Sequence, residues 1–245
     1  MNTLNNKDLV TGFYKRVLAQ GDLAYAKKII KEEYIQHSPN IKNGRSGVLA
    51  MLQHMAQLPK PKKPPKPFYR YICEGDMVAV HLGIDFMGQK RAVVDLFRIE
   101  DGQLAEHWDA SEILPEPNTN PTPPVAGPTR IENVKMGGHN KMIVQEFTDK
   151  LVTQKEFDKS KIMNNMLEHT PFCNSSVSYF TTVKFEKVHR IIAEGNYVLT
   201  QAFAKVDTKA YAVFDIYRLE QSKIVEHWSV RQEIPEQMAH DNGMF

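Results

Sequence analysis

The chain has 245 residues, 42% of them hydrophobic, and a formal net charge of only +2. That balance fits globular domains with real cores and argues against nucleic acid or a membrane surface as the partner. No apolar run reaches the length of a membrane span, the polar start Met1 to Asp8 lacks the apolar centre of a signal peptide, and a cytoplasmic protein with Cys73 and Cys173 as reduced packing residues is expected.

In chain order, Leu9, Val10, Phe13, Tyr14, Val17 and Leu18 recur at helical spacing and predict an amphipathic helix over about 6–19, stopped near Gly21. A shorter helix carries Leu23, Ala26, Ile29 and Ile30. The segment Tyr34 to Pro39 must then turn, because the proline disfavours a helical residue before it. A third helix is expected over about 47–58. The run K-P-K-K-P-P-K-P at 60–67 reads as a solvated connector rather than a docking site for an acidic partner. Strands follow at about 68–73, 77–86, 91–100 and 103–113.

The stretch from Tyr69 to Glu116 recurs. Shifted by 120 positions it lies on His189 to Glu236 without a gap, and 15 of the 48 positions are identical. Asp95, Arg98, Glu106, His107, Trp108 and Pro115 return as Asp215, Arg218, Glu226, His227, Trp228 and Pro235. A period this long means two similar domains rather than a solenoid. The Pro- and Gly-rich stretch 117–139 is the expected linker between a domain at 1–116 and a second at 140–245. In the second copy, helices are expected around Met142 to Val152 and over Phe157 to Leu167. Strands are expected at about 181–193, 197–206, 210–220 and 223–230. This copy is 12 residues shorter between His169 and Glu194 than the first between His37 and Glu74, so its third helix is curtailed.

Helices followed by hairpin-connected strands predict an α+β fold: two tandem cone-shaped barrels, each with N-terminal helices on a curved antiparallel sheet. Asp101-Gly102 is the preferred pair for a two-residue primed turn. Counting back from it sets Asp95 opposite Trp108 and Leu96 opposite His107. An odd-length turn centred on Gly88 sets His81 opposite Asp95. His81, Asp95 and Trp108 are thus expected in one row on the concave face, with His107 on the other face.

Y-I-Q-H-S-P at 34–39, V-A-V-H at 78–81, V-D-L-F-R at 94–98 and D-G-Q-L-A-E-H-W-D at 101–109 resemble the SnoaL-like polyketide cyclase family of the nuclear-transport-factor-2-like superfamily, and both halves share the likeness. The resemblance implies that Asp95 acts as acid and base in a metal- and cofactor-free aldol cyclisation or isomerisation, assisted by His81. His37 and Trp108 would orient a small apolar or cyclic carbonyl-containing substrate. Independently of the resemblance, a carboxylate in an apolar strand suits proton abstraction beside a carbonyl. The alternative is a structural aspartate bonded to the loop carrying His37, and a protein that only binds or scaffolds. A metal triad of His37, His81 and Asp95 has no short-spacing signature, so no metal is expected. Gln201 and Ser229 replace His81 and Asp109 in the second copy, which is read as degenerate. Relatives of this kind pair through their sheets, so the resemblance implies an intramolecular pseudo-dimer with an exposed linker, and allows a further homodimer.

Overall fold

A computed structural model describes residues 3–58, 69–115, 122–171, 173 and 175–245; the expected 60–67 connector lies outside them. Helix α1 (Thr3–Gly12) runs into a π-helical turn, Phe13–Leu18, that buries Phe13, Tyr14 and Val17 together. Helix α2 (Leu23–Ile29) starts where Asp22 accepts the Tyr25 amide at 2.9 Å. Strand β1 (Ile30–Gln36) and α3 (Gly44–Gln57) precede β2 (Tyr69–Glu74), β3 (Met77–Phe86), β4 (Gln89–Glu100) and β5 (Gln103–Ile113).

The second half repeats the plan. It has α4 (Gly137–Thr153), β6 (Ile162–Glu168), α5 (Ser176–Thr182), β7 (Lys184–Glu194), β8 (Tyr197–Val206), β9 (Lys209–Glu220) and β10 (Lys223–Glu233). Each half is a five-stranded mixed sheet, ordered β1-β5-β4-β3-β2 and β6-β10-β9-β8-β7, with helices on one face: an α+β fold.

Three expectations need correction. Ile30–Gln36 and Ile162–Glu168 are strands, parallel to β5 and β10, where the sequence suggested a turn approach and a helix. Both are edge strands with charged or amide side chains, so neither shows clean alternation. Helix α4 begins inside the stretch expected as linker, while the third helix is curtailed as expected, to seven-residue α5. The described part of that stretch is also not free of the body: Pro124 is buried and Val125 packs against Gly83.

The two sheets face each other. Ile72, Ala79, Leu96 and Trp108 from the first pack with Ile192, Leu199, Ile216 and Trp228 from the second in a core separate from those under the helices. Contacts across it are reciprocal. Arg70 lies over Trp228 at 3.8 Å and Arg190 over Trp108 at 3.9 Å. Glu194 accepts the Cys73 amide at 2.7 Å, and Glu74 accepts the Ala193 amide at 3.0 Å. Gln232 accepts from Ser111 at 3.0 Å, and Glu112 from Arg231 at 3.3 Å. Every pair maps onto its counterpart by the 120-residue shift, the pattern of a two-fold interface.

Candidate functional site

The Asp101-Gly102 turn forms as expected: both residues have positive φ, 53° and 74°, and Glu100 pairs with Gln103. Beyond it, Arg98 pairs with Glu106 and Ile99 with Leu104, so Ala105 is an extra, bulged residue. Every later position moves by one. Asp95 therefore faces Asp109, Leu96 faces Trp108, and Phe97 faces His107. The β3–β4 turn is also even, with Phe86 paired to Gln89 around Met87 (φ 53°) and Gly88 (φ 79°), which sets Val80 opposite Asp95 and His81 opposite Val94.

The expected row is thus split between two faces. Asp95 looks toward the helices, while His81 and Trp108 look toward the other sheet, so neither adjoins Asp95. His81 is 1% exposed and receives a hydrogen bond from Arg70 at its Nδ1, 2.6 Å away. Burial, then the charges of Arg70 and His169, pushes its pKa well down. Trp108 is 1% exposed and stacks on His37 with ring centroids 4.9 Å apart. His37 is buried. Its Nε2 is 2.9 Å from Glu106 and its Nδ1 2.9 Å from the Gly243 carbonyl.

What gathers at Asp95 is a different set. The π-helical turn delivers Tyr14, whose hydroxyl donates to Asp95 Oδ2. His107 places Nε2 3.1 Å from Asp95 Oδ1 and Nδ1 3.0 Å from Gln36 Oε1. Gln36 Oε1 also accepts the Ser38 amide at 2.9 Å, which fixes it as the acceptor. Both imidazole nitrogens then donate, so His107 is an imidazolium beside a carboxylate. Burial pulls the His107 pKa down, but the hydrogen bond and charge of Asp95 with the charge of Asp109 outweigh it, and the net direction is up.

Asp109 shares this face, the cross-strand neighbour of Asp95. Burial, reinforced by the Asp95 charge and opposed by His107, raises its pKa. Ser38 donates to Asp109 Oδ2 at 3.2 Å, and buried Oδ1 has no hydrogen-bond partner among the described residues. Tyr34, 2% exposed, is held neutral far above its ordinary value by burial and by Asp95, Asp109 and Glu106. Two carboxyls, one prone to keep its proton, beside an imidazolium and two phenols can give and take protons at one place. Sequence reasoning missed His107 because the bulge is invisible, and Tyr14 because it lies 81 positions from Asp95. Asp109 had left a signal, its loss to Ser229 in the second copy.

The equivalent place in the second half is sealed. Tyr179 of α5 donates to Asp215 at 2.6 Å, Tyr217 lies 3.4 Å from Asp215, and His227 pairs with Asp215 at 3.3 Å and with Glu168 at 2.9 Å. The Asp215 and His227 side chains are both 0% exposed, against 15% for Asp95 and 10% for His107. With Glu168 standing where Gln36 stands, the His227 pKa rises to about 9 despite burial, which opposes the charges of Glu168 and Asp215. Among the described residues, no group of three His, Cys, Asp or Glu side chains is placed to hold a metal ion, and no helix is long and apolar enough to cross a membrane.

Residues 10–107 match the family model described as a SnoaL-like domain. Solved structures similar to part of the chain include TsrD from Streptomyces laurentii (20% identity, 46% of this chain and 91% of that one, TM-score 0.37). Others are IdmH from Streptomyces antibioticus, a candidate polyketide cyclase (21%, 44% and 91%, 0.35), and a candidate ketosteroid isomerase from Kribbella flavida (16%, 47% and 83%, 0.38). The comparison with curated proteins found no match.

Proposed function

From the premise that residues 10–107 form a SnoaL-like domain, we propose that the first half binds a small apolar or cyclic carbonyl compound beside Asp95 and performs proton-transfer chemistry of the cyclase or isomerase type. Asp95 takes the proton next to the carbonyl. The protonated form of Asp109 gives a proton to the developing enolate, and Tyr14 and the His107 imidazolium hold Asp95 in place. His81, His37 and Trp108 take no direct part and instead support the sheet and the interface. The observation that carries this reading is the contrast in access: one Asp–His–Tyr network, reached by solvent in the first half and closed in the second.

The halves, taken as 1–116 and 140–245, act in this reading as an intramolecular pseudo-dimer, supported by the reciprocal contacts between the sheets. One working and one structural copy follow from it. A non-catalytic binding protein is the second reading, favoured by the retention of the Asp–His–Tyr network where no ligand can reach it. A thermal-shift screen of cyclic carbonyl compounds on the wild type, followed by turnover of any hit by Asp95→Asn, separates the two. Binding retained with turnover lost supports the enzyme; a hit that the wild type never converts supports the binder.

A further inference from the structure

The strap at 126–132 fills a groove on the second half whose counterpart on the first half holds no such strap among the described residues. In the filled groove, the Ala126 carbonyl accepts from Trp228 Nε1 at 3.1 Å and from Arg70 Nη2 at 2.7 Å. The Pro128 carbonyl accepts from Arg70 Nε at 3.2 Å and from the Tyr197 hydroxyl at 2.6 Å. Asn196 Oδ1 accepts the Glu132 amide at 2.8 Å, and Ile131 packs on the inter-sheet core.

Subtracting 120 from Gly195, Asn196, Tyr197, Glu226 and Trp228, and adding 120 to Arg70, gives Gly75, Asp76, Met77, Glu106, Trp108 and Arg190. These six line a cleft of about 450 Å³. The glycines report the difference directly. A Cβ on Gly195 would meet the Glu132 carbonyl at 2.2 Å and Ile131 at 2.8 Å, whereas one on Gly75, with nearly the same φ, would meet nothing within 4 Å. Asn196 and Tyr197 are buried at 4% and 0%, while Asp76 and Met77 are half-exposed. Trp108 Nε1, whose twin binds the Ala126 carbonyl, is buried without a hydrogen-bond partner among the described residues, a costly state for an indole N–H. The C-terminal tail leads toward this cleft as the linker leads toward the other: the Gly243 carbonyl contacts His37 Nδ1 and the Pro123 carbonyl contacts His169 Nδ1, each at 2.9 Å.

We propose that the cleft between Gly75, Asp76, Trp108 and Arg190 binds an extended peptide segment of a partner protein, built like the strap: a small residue, glycine and proline in sequence, with an aliphatic residue three positions after the proline. Its first carbonyl accepts from Trp108 Nε1, its proline carbonyl accepts from Arg190, and a later amide donates to Asp76. Glycine is required at the centre because the strap's Gly127, at φ 87°, has room for no Cβ: one would sit 2.9 Å from both Glu226 and Trp228.

The test uses the full chain and a synthetic peptide spanning residues 123–132 as the probe, titrated by calorimetry. Saturable one-to-one binding is expected, weakened about tenfold by Trp108→Phe, which removes one buried hydrogen bond, and weakened by Asp76→Lys at the rim. A peptide carrying Gly127→Ala should bind at least tenfold more weakly, a comparison that leaves the protein unaltered and so does not depend on how the variants fold. Absence of binding at millimolar peptide overturns the proposal. So does equal binding of the Gly127→Ala peptide. Binding that answers to Trp228→Phe but not to Trp108→Phe overturns it as well, since the peptide would then be displacing the native strap.

Discussion

Arg70, on β2 of the first sheet, lies 3.8 Å over the ring of Trp228, on β10 of the second, while its guanidinium also donates to the Ala126 and Pro128 carbonyls. One side chain therefore joins both sheets and the strap. Burial brings the Arg70 pKa down to about 10, still well above neutrality, so the cation persists at physiological pH. Its mirror, Arg190 over Trp108 at 3.9 Å, lacks the strap.

Cutting the chain should not part the halves. With a protease site placed in 117–121 and cleaved, the two pieces should co-elute on a sizing column, and the double variant Arg70→Ala with Arg190→Ala should weaken that association. Each cation–π contact is worth about 0.5–2 kcal/mol when desolvated, and the Arg70 change also removes its hydrogen bonds to the Ala126 and Pro128 carbonyls, which keep Trp228 and Tyr197 as donors. Pieces of the unmutated protein that separate at micromolar concentration would count against the packed arrangement.

The two aspartates should respond in opposite ways. Asp95→Asn is expected to lower turnover of a converted substrate by about 10² to 10⁴ and to cost less stability than the same change at Asp215, because its network with Tyr14 and His107 is reached by solvent. Asp215→Asn should leave turnover intact but cost stability on the order of 1–3 kcal/mol, because His227 and Tyr179 lose a buried anion. Denaturant melts and initial rates on the same preparations check both.

The second-half histidine predicts a pH dependence. The folded-state pKa of His227, about 9, lies above its ordinary 6.5, so its contribution to stability is complete below about pH 6.5 and is lost as pH rises through about 9. The wild-type thermal midpoint should fall across that window, and His227→Gln should flatten part of the fall. A decline of equal size in the variant would assign it to other groups.

Two glycines with matched backbones give a direct measure of strap docking. Gly75 and Gly195 have φ of 60° and 57°, so alanine at either pays the same left-handed penalty, about 1–2 kcal/mol. Only Gly195→Ala also drives a methyl into the Glu132 carbonyl. Its loss of stability in denaturant melts should exceed that of Gly75→Ala by well over 1 kcal/mol; equal losses would show that the strap does not hold its place.

Much of this architecture is legible in the sequence, and the reasons for the failures are local. The hairpins were readable because Asp101-Gly102 and the alternating apolar residues leave one solution, and the duplication because 15 identities fall without a gap. The parallel strands β1 and β6 were not, since their partners lie about 70 and 60 residues away and their exposed positions break the period. The site failed on counting. Ala105 carries no mark of a bulge, Met87 is an unusual occupant of a left-handed turn position, and each miscount turned a row of side chains over. Asp95 itself was readable as an isolated carboxylate among apolar neighbours; its partners His107 and Tyr14 were not, because the bulge and the π-helical turn decide who meets it.

The bulge at Ala105 has an evolutionary corollary. It sends two consecutive residues to different masters: His107 answers to the chemistry inside the cone, and Trp108 to the partner sheet. Loss of the bulge at unchanged chain length would slide the register by one and exchange their duties, offering an indole to the carboxylate and an imidazole to the neighbouring sheet. The same bulge lies between Ile224 and Glu226 in the second half, where no accessible site remains to be protected. Its persistence there points to the association of the halves, rather than reactivity, as the constraint that keeps the spacing fixed in both copies.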